Sequence, residues 1–110
     1  MNIKTQELKR VTLFEISGRV DSTNATELGE ALNAAIEAGR TQLVADLAGV
    51  EYMSSAGLRE LVTALKKVKR GTGDLRLAAP SERVRDVLEL AGLDSIFEIY
   101  PDQVEAVGSF

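Results

Sequence analysis

The chain contains no cysteine and no histidine. Without a thiol there is no disulfide, no thiolate nucleophile and no thiolate metal site. Without imidazole the commonest general base is missing, and Ser-His and imidazole–metal chemistry go with it. A serine triad of the usual kind is therefore excluded. No apolar run is long enough to cross a bilayer, and the opening Met1-Asn2-Ile3-Lys4-Thr5-Gln6-Glu7 lacks the apolar core of a signal peptide. A cytoplasmic protein with no membrane partner is the expectation. An excess of positive charge is also absent. The net charge of −4 argues against nonspecific nucleic-acid binding, which needs a basic surface. One basic cluster, Lys66, Lys67, Lys69 and Arg70, closes an expected helix, where cations complement the helix dipole.

What is present suffices for one core. The 110 residues are 45% apolar, which favours a single domain over 1–110 and argues against disorder. Ile3 to Leu8 and Val11 to Ile16 read as strands joined tightly at Lys9-Arg10, after which Gly18-Arg19-Val20-Asp21 leaves the sheet. Asp21, Ser22, Thr23 and Asn24 are candidate helix caps, and Asn24 with Glu27 has the spacing of a capping box. A helix is predicted from about Ala25 to Ala38, stopped by Gly39. Gln42 to Leu47 lacks clean alternation, as a central strand covered on both sides would.

Leu58, Leu61, Val62, Leu65 and Val68 form one stripe of a second helix that begins near Ala56. Asp74 to Ala78 is the next strand, and Pro80-Ser81 opens a third helix. Ile96 to Tyr100 is a last strand, and Pro101 starts a short terminal helix. The predicted class is α/β, in the order β-β-α-β-α-β-α-β-α. A hairpin followed by strand–helix–strand crossovers implies a mixed sheet of about four to five strands with about four helices.

The segment from Leu43 to Arg59 is the most informative. It is a buried strand, a turn and two serines at the mouth of a helix. Free N–H groups and the positive end of the dipole make such a place suited to a phosphate. Serine is also a preferred helix cap, so the residues alone leave Ser54 and Ser55 open to both readings.

Several ordered motifs resemble those of the STAS domain, specifically the single-domain anti-sigma factor antagonists (anti-anti-sigma factors). Phe14-Glu15-Ile16-Ser17-Gly18-Arg19-Val20-Asp21 resembles the second strand and its G-x-hydrophobic-D turn. Leu43-Val44-Ala45-Asp46-Leu47-Ala48-Gly49-Val50 resembles the central strand. Tyr52-Met53-Ser54-Ser55-Ala56-Gly57-Leu58 resembles the phosphorylation loop. Leu75-Arg76-Leu77-Ala78, the helix from Val84 to Leu93 and Phe97-Glu98-Ile99-Tyr100 complete a match over nearly the whole chain. Where the family loop often reads D-S-[ST]-G-hydrophobic, this chain has Ser54 for the acid and Ala56 for the second hydroxyl. The S-S-A-G form resembles a common family variant.

The resemblance implies partner switching. The dephosphorylated protein binds an anti-sigma factor, a serine kinase of histidine-kinase-like ATPase fold, and so frees a sigma factor. Phosphorylation ends the complex, and a PP2C-type phosphatase resets it. By alignment Ser55 is the acceptor, with Ser54 as the alternative. The implied contact set is Asp21, Ser22, Thr23, Asp46, Ser54, Ala56, Gly57, Leu58 and Arg59. Asp21 is either a partner-contacting acid or a turn residue. Asp46 either hydrogen-bonds the loop or marks a turn. Leu58 is either core or an apolar contact, and spacing favours core.

Within the same fold, another phospho-switch, a stressosome-like complex or a lipid-transport assembly is the alternative role. An enzyme would have to hold magnesium between Asp21 and Asp46 with Ser54 or Ser55, yet no Walker-type loop is present and no lysine adjoins the serines. A nucleotide-binding module has no motif that demands it. The expectation is a non-enzymatic monomer with no catalytic residue, no metal and no cofactor.

Overall fold

In a computed structural model describing residues 1–110, a two-residue turn joins β1 (Asn2–Leu8) to β2 (Val11–Val20). Leu8 pairs with Val11, and Lys9 takes a φ of 57°, which lets so short a turn close. The tight antiparallel connection expected at Lys9-Arg10 is what forms. Crossovers follow: α1 (Ala25–Glu37), β3 (Gln42–Met53), α2 (Ser55–Lys69), β4 (Asp74–Ala78), α3 (Glu82–Leu90), a 3-10 turn at Leu93–Ser95, β5 (Ile99–Tyr100) and α4 (Gln103–Gly108). The strands lie in the order β1-β2-β3-β4-β5, parallel from β2 onward with β1 antiparallel at the edge. The mixed sheet and the element order are those expected.

Strand alternation divides the apolar residues between two faces. On one face Phe14, Ile16, Leu43, Ala45, Leu47, Leu75 and Leu77 meet Leu28 and Leu32 of α1, Leu58, Leu61 and Leu65 of α2, and Val84 and Leu88 of α3. On the other, Val11, Leu13, Val44 and Ala78 lie under Ala106 of α4. Arg76 fastens α4 there, with its guanidinium 4.0 Å from the Phe110 ring centre and 2.6 Å from the Ser109 carbonyl oxygen. Leu43-Val44-Ala45 is thus buried on both faces, which explains its unbroken apolar run.

The main departure from expectation is that β2 and β3 run on, to Val20 and Met53. Two bulges in β3 hide this. Glu15 pairs with Asp46 but Ser17 with Gly49, and Gly18 pairs with Val50 but Arg19 with Tyr52. Each step uses one extra residue of β3. Its inward residues Leu47, Val50 and Met53 are all buried but fall three apart, so the period of two is lost. Gly18, at φ 86°, stays within β2 instead of ending it.

Two smaller expectations also fail. Asn24 makes no capping bond to α1, so no capping box with Glu27 forms. Its side chain is engaged across the preceding turn, accepting from the Asp21 N–H and donating to the Arg19 carbonyl, each at 2.9 Å. The last strand is only Ile99–Tyr100, because the 3-10 turn before it rotates Phe97 into the main core.

Candidate functional site

The extended β2–β3 pair carries two chain junctions to one end of the sheet. Val20 pairs with Met53, and the Ser54 N–H donates to the Val20 carbonyl at 2.8 Å. One step beyond this point lie Asp21, which begins the β2–α1 turn, and Ser54, which begins α2.

Ser54 is the N-cap. It is extended (φ −80°, ψ 167°), and its Oγ accepts from the Gly57 N–H at 3.2 Å. The Leu58 N–H donates to its carbonyl at 3.0 Å. Ser55 is the first helical residue and is exposed. The two serines therefore divide the two roles left open by the sequence: one caps, the other faces solvent. Loss of the cap should cost about 1 kcal/mol in Ser54→Ala, a drop in Tm of roughly 4 °C or more. Ser55→Ala should move Tm little, as exposed substitutions away from such features do. Thermal melts of the two variants check the division.

Beyond Ser55, alternate needs apply. Ala56 is half-buried and Arg59 is exposed. Gly57 and Leu58 are buried. A Cβ on Gly57 would lie 2.5 Å from Met53 Sδ and 2.7 Å from Val20 Cγ1. Its smallness lets the first turn of α2 seat on the ends of β2 and β3. Leu58, 5% exposed, belongs to the main core. Both residues of the contact set implied by the resemblance are thus buried at the start of α2.

On the other side of the junction, Asp21 Oδ1 accepts from the Thr23 hydroxyl at 2.5 Å and from the Thr23 N–H at 2.9 Å. Ser22 and Thr23 are exposed in the same turn. The Thr23 hydroxyl first, then backbone N–H groups and the Arg19 charge, hold the Asp21 carboxyl below its usual value of 3.8. A carboxyl lowered on folding stabilises the fold above its ordinary value, and that support is lost as pH falls through the lowered one.

Asp46 does not join this constellation. It stands in the middle of β3, and β2 takes five residue steps from its partner Glu15 to Val20, roughly 17 Å at strand spacing. Oδ1 accepts from the Ala48 N–H at 3.0 Å, inside the first bulge, and Oδ2 accepts from Gln103 Nε2 of α4 at 2.9 Å. Neither alternative offered by the sequence is realised: Asp46 bonds no residue of the serine loop and marks no turn, but fastens a bulge and a helix. The same separation keeps Asp21 and Asp46 from sharing a magnesium ion.

Sequence reasoning missed Arg19 and Tyr52. Arg19 is exposed, and its guanidinium lies 4.5 Å from the Tyr52 ring centre. The two pair across β2 and β3 only because of the second bulge, so no sequence spacing announces them.

The model of the STAS domain family matches residues 2–106. The chain belongs to the STAS domain family. The STAS domain here is 31% identical over 110 residues to BtrV of Bordetella bronchiseptica, provisionally named an anti-sigma factor antagonist, covering all of this chain and 95% of that one. It is also 31% identical over 99 residues to the anti-sigma-B factor antagonist of Listeria monocytogenes, covering 90% and 86% of the two chains. The crystal structure of an anti-sigma factor antagonist from Mycobacterium paratuberculosis superposes with a TM-score of 0.90 at 28% identity, covering 98% of this STAS domain and 92% of that chain. No helix of the domain is long and apolar enough to cross a membrane.

Proposed function

We propose that this STAS domain is an anti-sigma factor antagonist controlled by phosphorylation of Ser55. The observation that carries the reading is the division of labour at α2: Ser54 is occupied as the cap, while Ser55 is exposed on the first turn beside the Asp21 junction. The unmodified protein docks on an anti-sigma factor, a serine kinase of histidine-kinase-like ATPase fold, and the sigma factor is released. The docking surface is Asp21, Ser22 and Thr23 on one junction and Ser54, Ser55, Ala56 and Arg59 on the other. A PP2C-type phosphatase hydrolyses the phosphoserine and restores docking. Both partners are cytoplasmic, and the antagonist acts as a monomer.

In the modifying step the Ser55 Oγ forms a bond to the γ-phosphorus of ATP, and the bond to the ADP oxygen breaks. The hydroxyl proton passes to a base of the kinase. The STAS domain supplies only the oxygen and its position. Exposure at a helix start suits this, because the phosphoryl donor approaches from solvent and the product meets free N–H groups.

Phosphopeptide mapping after incubation with the cognate kinase and ATP tests the assignment. Phosphate is expected on Ser55 in the natural protein and in Ser54→Ala, and is expected to vanish in Ser55→Ala. Phosphate confined to Ser54 would overturn it. A chain that takes no phosphate and copurifies with membrane transport proteins would point to the lipid-transport role instead.

A further inference from the structure

Arg59 lies four residues after Ser55, one turn along the same exposed face of α2. Its guanidinium has no carboxylate to answer it. The ion pairs of the protein belong to Arg40, Lys69 and Arg76. Within α2 the residues three and four positions away are Ala56 and Ser55 on one side and Val62 and Thr63 on the other, none of them acidic. The adjacent acid, Glu60, is turned toward α1, where its carboxylate occupies the space a side chain on Gly29 would need. The first turn of α2 also lacks an acid, while α1, α3 and α4 carry Glu27, Glu82 and Glu105 there. Of the other charges at this end of the sheet, Arg19 is stacked on Tyr52, Asp21 is held by Thr23, and Glu51 is exposed on β3 and forms no ion pair.

Resting on the reading of Ser55 as phosphoacceptor, we propose that Arg59 is the counter-ion that the Ser55 phosphate captures. A phosphoserine four residues N-terminal to an arginine has the favourable orientation for a helical ion pair, with the anion toward the N-terminus. The planar guanidinium binds two phosphate oxygens at once, which a lysine at this position does not reproduce. Capture withdraws Arg59 from the docking surface as the phosphate arrives. Modification therefore changes two charges of that surface instead of one. The pair also lets the free protein carry a dianion on a short turn without strain on the fold.

The test installs phosphoserine at position 55 of the full chain by genetic encoding and titrates the phosphate by phosphorus NMR. An arginine partner favours the dianion, so the second ionisation is expected at lower pH with Arg59 present than in Arg59→Gln, with Arg59→Lys between them. Lys66→Gln, toward the far end of α2, controls for the general field of the protein and should leave the titration where it was. An unmoved titration in Arg59→Gln, or an equal displacement in Lys66→Gln, would overturn the pairing. Because the phosphate is placed without a kinase, these results do not depend on which serine a kinase selects. Peptide mapping decides that separately.

Discussion

Phosphorylation of Ser55 is expected to weaken binding to the anti-sigma factor by at least about a hundredfold while leaving the fold of the antagonist intact. The modification adds about 1.5 to 2 negative charges at pH 7. In the free protein these sit on an exposed first turn, where the helix dipole and free N–H groups favour an anion by roughly 0.3–1 kcal/mol. In the proposed docked state the same group would be covered. A single arginine does not balance a dianion, and a buried charge left uncompensated costs several kcal/mol, where each 1.4 kcal/mol is about tenfold in affinity. The sign of the effect thus differs between the two states, and the switch needs no rearrangement of the sheet or of α2.

Calorimetric titration of the unmodified and Ser55→phosphoserine proteins against the kinase, with thermal melts of each alone, measures both halves of the expectation. Ser55→Asp should act in the same direction but by less, because it carries one charge on a shorter arm. Equal affinities for the unmodified and phosphorylated forms would count against release by charge. A large fall in Tm on phosphorylation would instead point to unfolding of the first turn as the cause.

The helices were legible because each pairs a stripe at helical spacing with local stop and start residues. Leu58, Leu61, Leu65 and Val68 face the core as their spacing requires, and Gly39 follows α1 with φ 88°. The second half of β3 was not legible, because two bulges replace the period of two with a period of three. The site depends on that half. It carries Met53 to Val20 and so brings the Asp21 turn against the start of α2. Asp46 was misplaced for the same reason, since a strand thought to stop at Leu47 puts its aspartate at the end and not in the middle.

Asn24 shows a different limit. Its spacing to Glu27 satisfies a capping box, but the Asp21 N–H and the Arg19 carbonyl compete for the same amide and win. The residue types left either serine free to cap, and it is the local backbone geometry that gives the cap to Ser54 and leaves Ser55 exposed.

Gly57→Val is expected to destabilise the domain by about 3 kcal/mol, and to impair phosphorylation of Ser55 although the hydroxyl is still present. Adding methylenes to a filled interior typically costs about 1–3 kcal/mol, and valine adds three carbons. The first of them, the Cβ, would already meet Met53 Sδ at 2.5 Å and Val20 Cγ1 at 2.7 Å. A thioether can swing away when there is room, but Met53 is 2% exposed and Val20 is fully buried, so neither has anywhere to go. Relief must come from lifting the first turn of α2 off the sheet. That strains the bond from the Ser54 N–H to the Val20 carbonyl and displaces the adjoining Ser55.

Urea denaturation should show a lower midpoint with an unchanged slope, the mark of lost stability and not of an altered unfolded state. Gly57→Ala should cost less than valine. Its cost should shrink when Val20→Ala is present as well, because that change removes one of the two obstructing groups. Coupling between residues in contact reaches about 0.5–3 kcal/mol, well within measurement. If instead the costs of Gly57→Ala and Val20→Ala simply add, the glycine is not there for close approach. The seat of α2 on the two strands would then need another explanation.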